Sequence, residues 1–262
     1  MRTLRALPTL FRVAFAEMVA YRAEMVIWIL SATLPLVMLA LWNAAAAAGP
    51  LRGFGQTDFA RYFVATLVVR QLTGAWIVWE LNNQIRTGSL SPQLLRPVNP
   101  MWWSFAETVA ALPWRLMVLA PILAVLSWWR PDIVFSPGLV RGVAFFLSVA
   151  LAFAVSWLVQ CLFGMLAFWI EQSLGLFQVW FFLWAVLGGY MIPLPLLPAP
   201  LANAAEWLPF HQTLGAPVGL LVGIQADPAR TLGIQAGWAC ALLLAAIAMW
   251  RSGIRRYGAV GA

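Results

Sequence analysis

The chain has 262 residues, of which 63% are apolar and 10% charged, and its mean hydropathy is +0.85. A soluble protein needs more surface charge, so this composition indicates an integral membrane protein. All sixteen basic residues are arginine. Because a Walker A loop binds nucleotide phosphates through a lysine, a chain without lysine is not itself a P-loop ATPase. The net charge of +7 is scattered along the sequence, which favours topology-setting arginines over nucleic-acid binding.

The apolar runs predict an all-α membrane protein with six transmembrane helices. The polar stretches between them are too short to form a separate soluble core, so we predict one domain over residues 1–262. A helix of about 20 apolar residues crosses a hydrocarbon core of about 30 Å. The spans cover approximately residues 25–47, 59–79, 102–129, 142–170, 174–192 and 231–250.

The segment before the first span has the pattern of an amphipathic helix lying on the membrane surface. Its apolar residues recur at three- and four-residue steps, and its arginines fall on the opposite face. The apolar residues are Leu4, Leu7, Phe11, Phe15 and Met18, and the arginines are Arg2, Arg5 and Arg12. The alternative is a simple topology anchor. Charges in this region also argue against a cleavable signal peptide.

Residues 193–230 carry seven prolines between short apolar pieces, "LANAAEWL" and "APVGLLVGI". Each piece is too short to cross a bilayer as a helix. We therefore predict re-entrant or interfacial helices between spans five and six, which are tolerated at membrane depth when protein or water covers their backbone.

The distribution of arginines sets the predicted orientation. Cytoplasmic segments tend to be rich in arginine, and six spans return both termini to one side. The richer set comprises Arg2, Arg5, Arg12, Arg22, Arg86, Arg96, Arg251, Arg255 and Arg256, and the poorer set comprises Arg52, Arg61, Arg130, Arg141 and Arg230. Both termini and the loop Gly88 to Pro100 are accordingly predicted to be cytoplasmic.

Residues suited to catalysis or metal binding are scarce. The one histidine, His211, lies in the proline-rich segment without neighbouring nucleophile or ligand motifs, and is expected to be a satisfied loop or interface histidine. Cys161 and Cys240 lie in apolar runs and are expected to be packed small hydrophobes. We predict no catalytic, metal or cofactor site on this chain.

Charged residues inside predicted spans are the candidates for a substrate path. Arg70 and Arg115 lie mid-span, and Glu107 lies nearer the start of span three. Such charges usually face protein or a water-filled path, so structural neutralisation is the alternative reading. The many tryptophans and phenylalanines suit packing and interfacial belts. The alternative is that a subset lines a path for an aromatic, lipidic or cationic organic solute.

The polar stretch "IRTGSLSPQLLRPVNP", Ile85 to Pro100, resembles the "G-x-L-x-x-x-L-L-R-P-x-x-P" pattern of ABC-2 family transporter proteins, the permease subunits of type-2 ABC exporters. The matching residues are Gly88, Leu90, Leu94, Leu95, Arg96, Pro97 and Pro100. The predicted arrangement of spans, amphipathic helix and re-entrant elements is also similar to that family over nearly the whole chain.

The resemblance implies a short coupling helix that docks on a separate ATPase subunit, present in two copies beside a second permease chain, identical or paralogous. ATP and Mg would be bound by that ATPase, and none by this chain. The implied contact residues are Gly88, Leu90, Leu94, Leu95, Arg96 and Pro97, with Ser91-Pro92 starting the helix and Gln93 to Arg96 forming one turn.

The family also implies a multi-pass protein of the cell inner membrane that exports a hydrophobic or amphipathic compound, such as a drug, lipid or small organic molecule. Two alternatives remain at this point. One is a non-transport membrane protein coupled to an ABC ATPase for signalling or mechanical work, and the other is a membrane enzyme.

Overall fold

The computed structural model describes residues 34–225 and 227–257, together with positions 9, 12 and 13. It is all-helical, with 80% helix, and no strand occurs in the described residues. The all-α prediction is therefore confirmed. The predicted amphipathic N-terminal helix and the first part of span one lie outside the described ranges.

The helices follow one another with short connections. They are α1 (Leu34–Ala45), α2 (Gln56–Thr73), α3 (Ile77–Arg86), α4 (Ser91–Leu94), α5 (Pro100–Ala110), α6 (Leu112–Trp129), α7 (Leu139–Met165), α8 (Ser173–Leu187), α9 (Ala199–Trp207), α10 (Pro209–Gln212), α11 (Gly215–Val222) and α12 (Pro228–Arg256).

Within the described residues, 4 helical stretches are long and apolar enough to cross a membrane. They are Gln56–Arg86 (α2 with α3), Pro100–Trp129 (α5 with α6), Leu139–Phe168 (α7 with a 3₁₀ turn) and Pro228–Arg256 (α12). These match predicted spans two, three, four and six. Spans two and six run several residues beyond their predicted ends, because helix continues through polar positions where the hydropathy signal stops.

The other two predicted spans correspond to shorter helices. Helix α1 and the 3₁₀ turn Ala46–Ala48 lie at the end of predicted span one, 25–47. Helix α8 has 15 residues and ends before Gly188, whereas the prediction ran to residue 192. At 1.5 Å per residue α8 is about 22 Å long, shorter than the hydrocarbon core.

Helix α7 lies at the centre of the described structure, packed against α2, α3, α8, α11 and α12. The span formed by α2 and α3 is mostly buried, and Phe59, Phe63, Leu67 and Leu81 are all but inaccessible. The spans α5–α6 and α12 instead leave most of their apolar surface outside the packed chain. In a membrane protein such surface faces lipid or another membrane subunit.

The proline-rich segment forms short helices at both predicted pieces, α9 over "LANAAEWL" and α11 over most of "APVGLLVGI". Residues 209–220 are all buried. Tyr62 Oη donates to Gly189 O at 2.8 Å, and Gln235 Nε2 donates to Gln212 O at 2.8 Å. The irregular backbone is thus covered by protein, as a segment at membrane depth requires.

Hydrogen bonds hold the connections together at one end of the helices. Arg52 Nη1 donates to Leu197 O at 2.8 Å, and Trp42 Nε1 donates to Met191 O at 2.9 Å. Arg61 Nε donates to Asp132 O at 2.8 Å. The loop between α3 and α5 lies at the opposite end, beside the end of α12. Among the described arginines, those predicted to be cytoplasmic therefore lie at one end of the helices, and those of the other set lie at the opposite end.

Gly189 is a position where only glycine fits. Its φ is +86°, and a Cβ there would lie 2.3 Å from Tyr62 Oη. We expect Gly189→Ala to lower the free energy of unfolding by about 2 kcal/mol or more, since it combines backbone strain with a clash. Gly233→Ala is the control, because a Cβ at this helical position meets nothing within 4 Å. Thermal unfolding in detergent measures both, and equal melting temperatures would contradict the close packing.

A pH effect is expected at the loop between α6 and α7. Hydrogen bonds from Arg130 and Thr57 lower the pKa of Asp132 from 3.8 to about 2. The carboxylate therefore contributes stability that is present above about pH 4 and is lost as the pH falls towards 2. Asp132→Asn should flatten the melting-temperature profile between about pH 4 and pH 2. An unchanged slope in that variant would show that the carboxylate is not linked to folding.

Candidate functional site

The loop between α3 and α5 begins with a tight turn. Gly88 adopts φ +79°, and the chain turns back so that Leu90 N donates to Gln84 O at 3.1 Å. Helix α4 then starts at Ser91, with Pro92 in its first turn, where the missing N–H leaves no bond unmade. The helix ends at Leu94, so the predicted turn over Gln93 to Arg96 lies two residues too far along the chain.

The motif residues in this loop divide into an inner and an outer face. Leu90 is fully buried and Leu94 partly buried, in a cluster with Met165, Ile254 and Tyr257. Ser91 Oγ also donates to Tyr257 Oη at 3.3 Å. The structure therefore uses the inner leucines to hold the loop against α7 and α12.

The outer face consists of Leu95, Arg96 and Pro97, all exposed. Leu95 is 89% accessible, which is unusual for a leucine next to a packed cluster. Gly88 is partly exposed at the preceding turn. Six residues were predicted to contact an ATPase. Three of them (Leu95, Arg96 and Pro97) are exposed, two (Gly88 and Leu94) are partly exposed, and Leu90 is buried.

The second candidate site, after the α4 loop, lies where span two is interrupted between α2 and α3. Helix α2 ends at Thr73 and α3 begins at Ile77, which leaves carbonyls without helical partners. Arg115 reaches them from α6: its Nη1 donates to Gln71 O at 3.3 Å and also to Gly74 O. Only 6% of Arg115 is accessible. Arg115 thus provides hydrogen bonds to buried backbone carbonyls. This agrees with the structural alternative to a role in a substrate path.

Arg70 lies next to this break. Its guanidinium carbon is 5.3 Å from the Trp184 ring centroid, and it interacts with the Tyr190 hydroxyl. The Nη1 atoms of Arg70 and Arg115 are each 3.2 Å from where a Gly74 Cβ would lie, so the two guanidinium groups are neighbours. Two neighbouring charges of the same sign repel each other, and more strongly inside a protein than in water.

Across the described part of the chain, no carboxylate lies within 4.0 Å of either guanidinium. Glu107, the third residue predicted for a substrate path, lies on α5 and accepts a hydrogen bond from Trp103 Nε1. The structure therefore brings Arg70 and Arg115 together, and Glu107 has a separate environment.

A cleft of about 320 Å³ opens beside Arg70, between the α2–α3 break, α7 and α8. Six aromatic side chains line it: Trp76, Trp79, Phe177, Trp180, Phe181 and Trp184. The sequence analysis did not identify this cleft. The signal was present, because the aromatic residues on α8 recur at three- and four-residue steps and so share one helical face.

His211, Cys161 and Cys240 can each be located in the described structure. No group of three or more His, Cys, Asp or Glu residues among those described could hold a metal ion. His211 is buried in α10, with Nε2 3.2 Å from Gln225 Nε2. Cys161 is buried as predicted, but Cys240 is exposed, so the prediction was wrong there. The reason is that α12 leaves most of its surface outside the packed chain.

The described structure is thus that of a helical membrane protein, with an anchored connecting loop at one end and an aromatic cleft among its helices. The model of the ABC-2 family transporter proteins matches residues 18–261, and the chain belongs to that family. Members are membrane components of transport systems and are not themselves catalytic. No curated protein and no solved structure matches the chain.

The role of Arg115 is tested by Arg115→Gln. An unsatisfied buried carbonyl costs about 1–3 kcal/mol, so this variant should unfold at lower temperature and exchange amide hydrogens faster around residues 71–77. The matched control is Arg86→Gln, since Arg86 is exposed at the end of α3. Equal stability and exchange in the two variants would mean that Arg115 does not hold the helix break.

Proposed function

We propose that this chain is the permease subunit of an ATP-driven exporter whose ATPase is a separate subunit. The observation that carries the proposal is the two-faced loop, in which buried Leu90 and partly buried Leu94 hold the exposed edge Leu95, Arg96 and Pro97 in place. An exposed apolar side chain beside an arginine, on a well-anchored support, suits a docking contact, because arginine is enriched among the residues that dominate protein interfaces.

The supports of α4 favour transmission of movement into the membrane. The Gly88 turn connects it directly to α3, and Tyr257 contacts it from the end of α12. On its other side, the Asn99 side chain accepts from Met101 N at 2.9 Å and caps α5. A displacement of α4 would therefore be passed to three helices at once, since packed elements move as rigid bodies.

The remaining features of the proposal follow from the family. ATP and Mg are bound by the ATPase subunit, two copies of which act with two permease chains. The permease has six spans in the cell inner membrane, with the termini and the α4 loop in the cytoplasm. Support comes from the segregated arginines, from the buried backbone of the proposed re-entrant segment at residues 209–220, and from the exposed apolar surface of α12.

We further propose that the exported compound is hydrophobic or amphipathic. The aromatic cleft supports this proposal because tryptophan and phenylalanine side chains favour apolar, ring-containing ligands. The cleft lies at the interruption of span two, where a shift of α3 relative to α2 would change its shape.

Docking is tested by a pair of leucines matched in exposure. Leu95 is 89% and Leu139 is 85% accessible, and they lie at opposite ends of the molecule. Leu95→Ser combined with Arg96→Ala should reduce co-purification of the ATPase subunit by about tenfold or more, as expected when a docking anchor is removed. Leu139→Ser should leave it unchanged. Insertion and melting temperature are measured for both, and equal ATPase recovery would contradict docking at α4.

The proposal that a separate subunit hydrolyses ATP is tested by measuring ATP hydrolysis with and without that subunit. The purified chain alone should bind and hydrolyse no ATP, whereas its complex with the soluble ATPase subunit should hydrolyse ATP and drive flux into vesicles. ATPase activity from the chain alone would contradict the proposal. Hydrolysis by the complex with no ATP-dependent flux of any amphipathic compound would favour signalling or mechanical work instead.

A further inference from the structure

The cleft beside Arg70 has the dimensions and lining of a small-molecule site. Its volume of about 320 Å³ lies within the range of pockets that bind organic ligands. It is open on one side, where Trp76, Trp79 and Phe181 are partly accessible, and closed at the other, where Phe177 and Trp184 are buried. A ligand could therefore enter from the rim and place one end deep in the cleft.

The charge at the deep end is positive. Arg70 lines the cleft, and the guanidinium of Arg115 lies next to it beyond Gly74. Both Arg115 contacts go to neutral carbonyls, and no carboxylate of the described chain lies within 4.0 Å of either arginine. Two neighbouring cations in an apolar environment favour the entry of an anion and repel any further cation.

The aromatic wall does not act as a cage for a cation. The face of Trp184, the deepest of the tryptophans, already interacts with the Arg70 guanidinium at 5.3 Å. Aromatic cages bind organic cations by offering free ring faces to the charge. Here the protein supplies the cation itself, and the aromatic lining offers apolar surface to the uncharged part of a ligand.

One buried polar group also lacks a partner. Gln160 on α7 lines the cleft with 7% of its surface accessible, and its Oε1 has no hydrogen-bond partner in the described structure. Buried polar atoms are normally satisfied, and an unsatisfied one in a cavity is explained by a ligand or a water molecule. A hydroxyl or N–H on a ligand would satisfy this oxygen.

We infer that the cleft binds organic anions with an aromatic body, the acid group lying at Arg70 and the rings among Trp76, Trp79 and Trp180. The inference rests on the proposed permease function and names the class of substrate: an amphipathic carboxylate, sulfonate or phosphate. Arg115 contributes the second charge without direct contact, because it does not line the cleft and its Nη1 is bonded to the α2–α3 break.

Binding is tested with the full chain in nanodiscs of zwitterionic phosphatidylcholine, without the ATPase. The probes share one ring system and differ in charge: naphthalenesulfonate, naphthalenemethanol and naphthylmethylammonium. Isothermal titration calorimetry against empty nanodiscs separates protein binding from partition into lipid. The sulfonate should bind at least about tenfold more tightly than the neutral alcohol, because a charge-assisted contact is added, and the ammonium should bind most weakly.

Substitutions at two residues, Arg70 and Ser156, locate the site. Arg70→Gln should remove the preference for the sulfonate, whereas Arg70→Lys should keep part of it. Should Arg70→Gln lower the melting temperature, Ser156→Phe provides the second test, because Ser156 lines the cleft and both arginines remain. Filling the cleft should weaken all three probes. Arg86→Gln, remote from the cleft, is the control with the same change of charge.

Equal affinities for the three probes, or sulfonate binding unaffected by both Arg70→Gln and Ser156→Phe, would overturn the inference. Recovery of the ATPase subunit is measured on the same preparations. Loss of the anion preference with ATPase docking intact would count against the substrate class alone. Anion binding by a chain that recruits no ATPase would support the cleft and count against the proposed permease function.

Discussion

Backbone groups at membrane depth must find hydrogen-bond partners within the protein, because lipid offers none. The long span Gln56–Arg86 violates this rule at residues 74–76, where the helix is interrupted, and Arg115 from α6 restores it. Much of the candidate site depends on these hydrogen bonds from Arg115. They connect span three to span two and place a second cation beside Arg70, and the interruption itself forms one wall of the cleft.

The same constraint explains the proline-rich segment. Prolines and glycines break it into helices α9 to α11, each with unpaired groups at its ends. Burial of residues 209–220 removes these groups from lipid, and partners come from other elements, such as Trp184 Nε1, which donates to Thr213 Oγ1 at 2.7 Å. The tight approach of Tyr62 to Gly189 belongs to the same packing. The aromatic core of the molecule therefore supports an irregular backbone.

The loop at the other end follows a different principle. Its leucines lie within a few residues of each other, yet Leu90 is buried, Leu94 partly buried and Leu95 almost fully exposed. A loop anchored by α7 and α12 can present a small apolar contact without losing its shape. The contact and the cleft share α3 as a common element, since α3 leads from the interruption of span two to the Gly88 turn. That helix is the physical connection between the proposed motor contact and the proposed ligand site.

The sequence by itself determined the membrane class, the helical architecture, the approximate position of four long spans and the start of α4 at Ser91, because hydropathy and proline positions are local properties. It also marked Arg70 and Arg115 as unusual. Only the tertiary structure decided that these arginines are neighbours, that Arg115 serves the backbone, that Cys240 faces outward, and that aromatic residues from separate helices enclose one cleft. Those facts depend on which helices pack together, and residues distant in sequence carry no local signal of it.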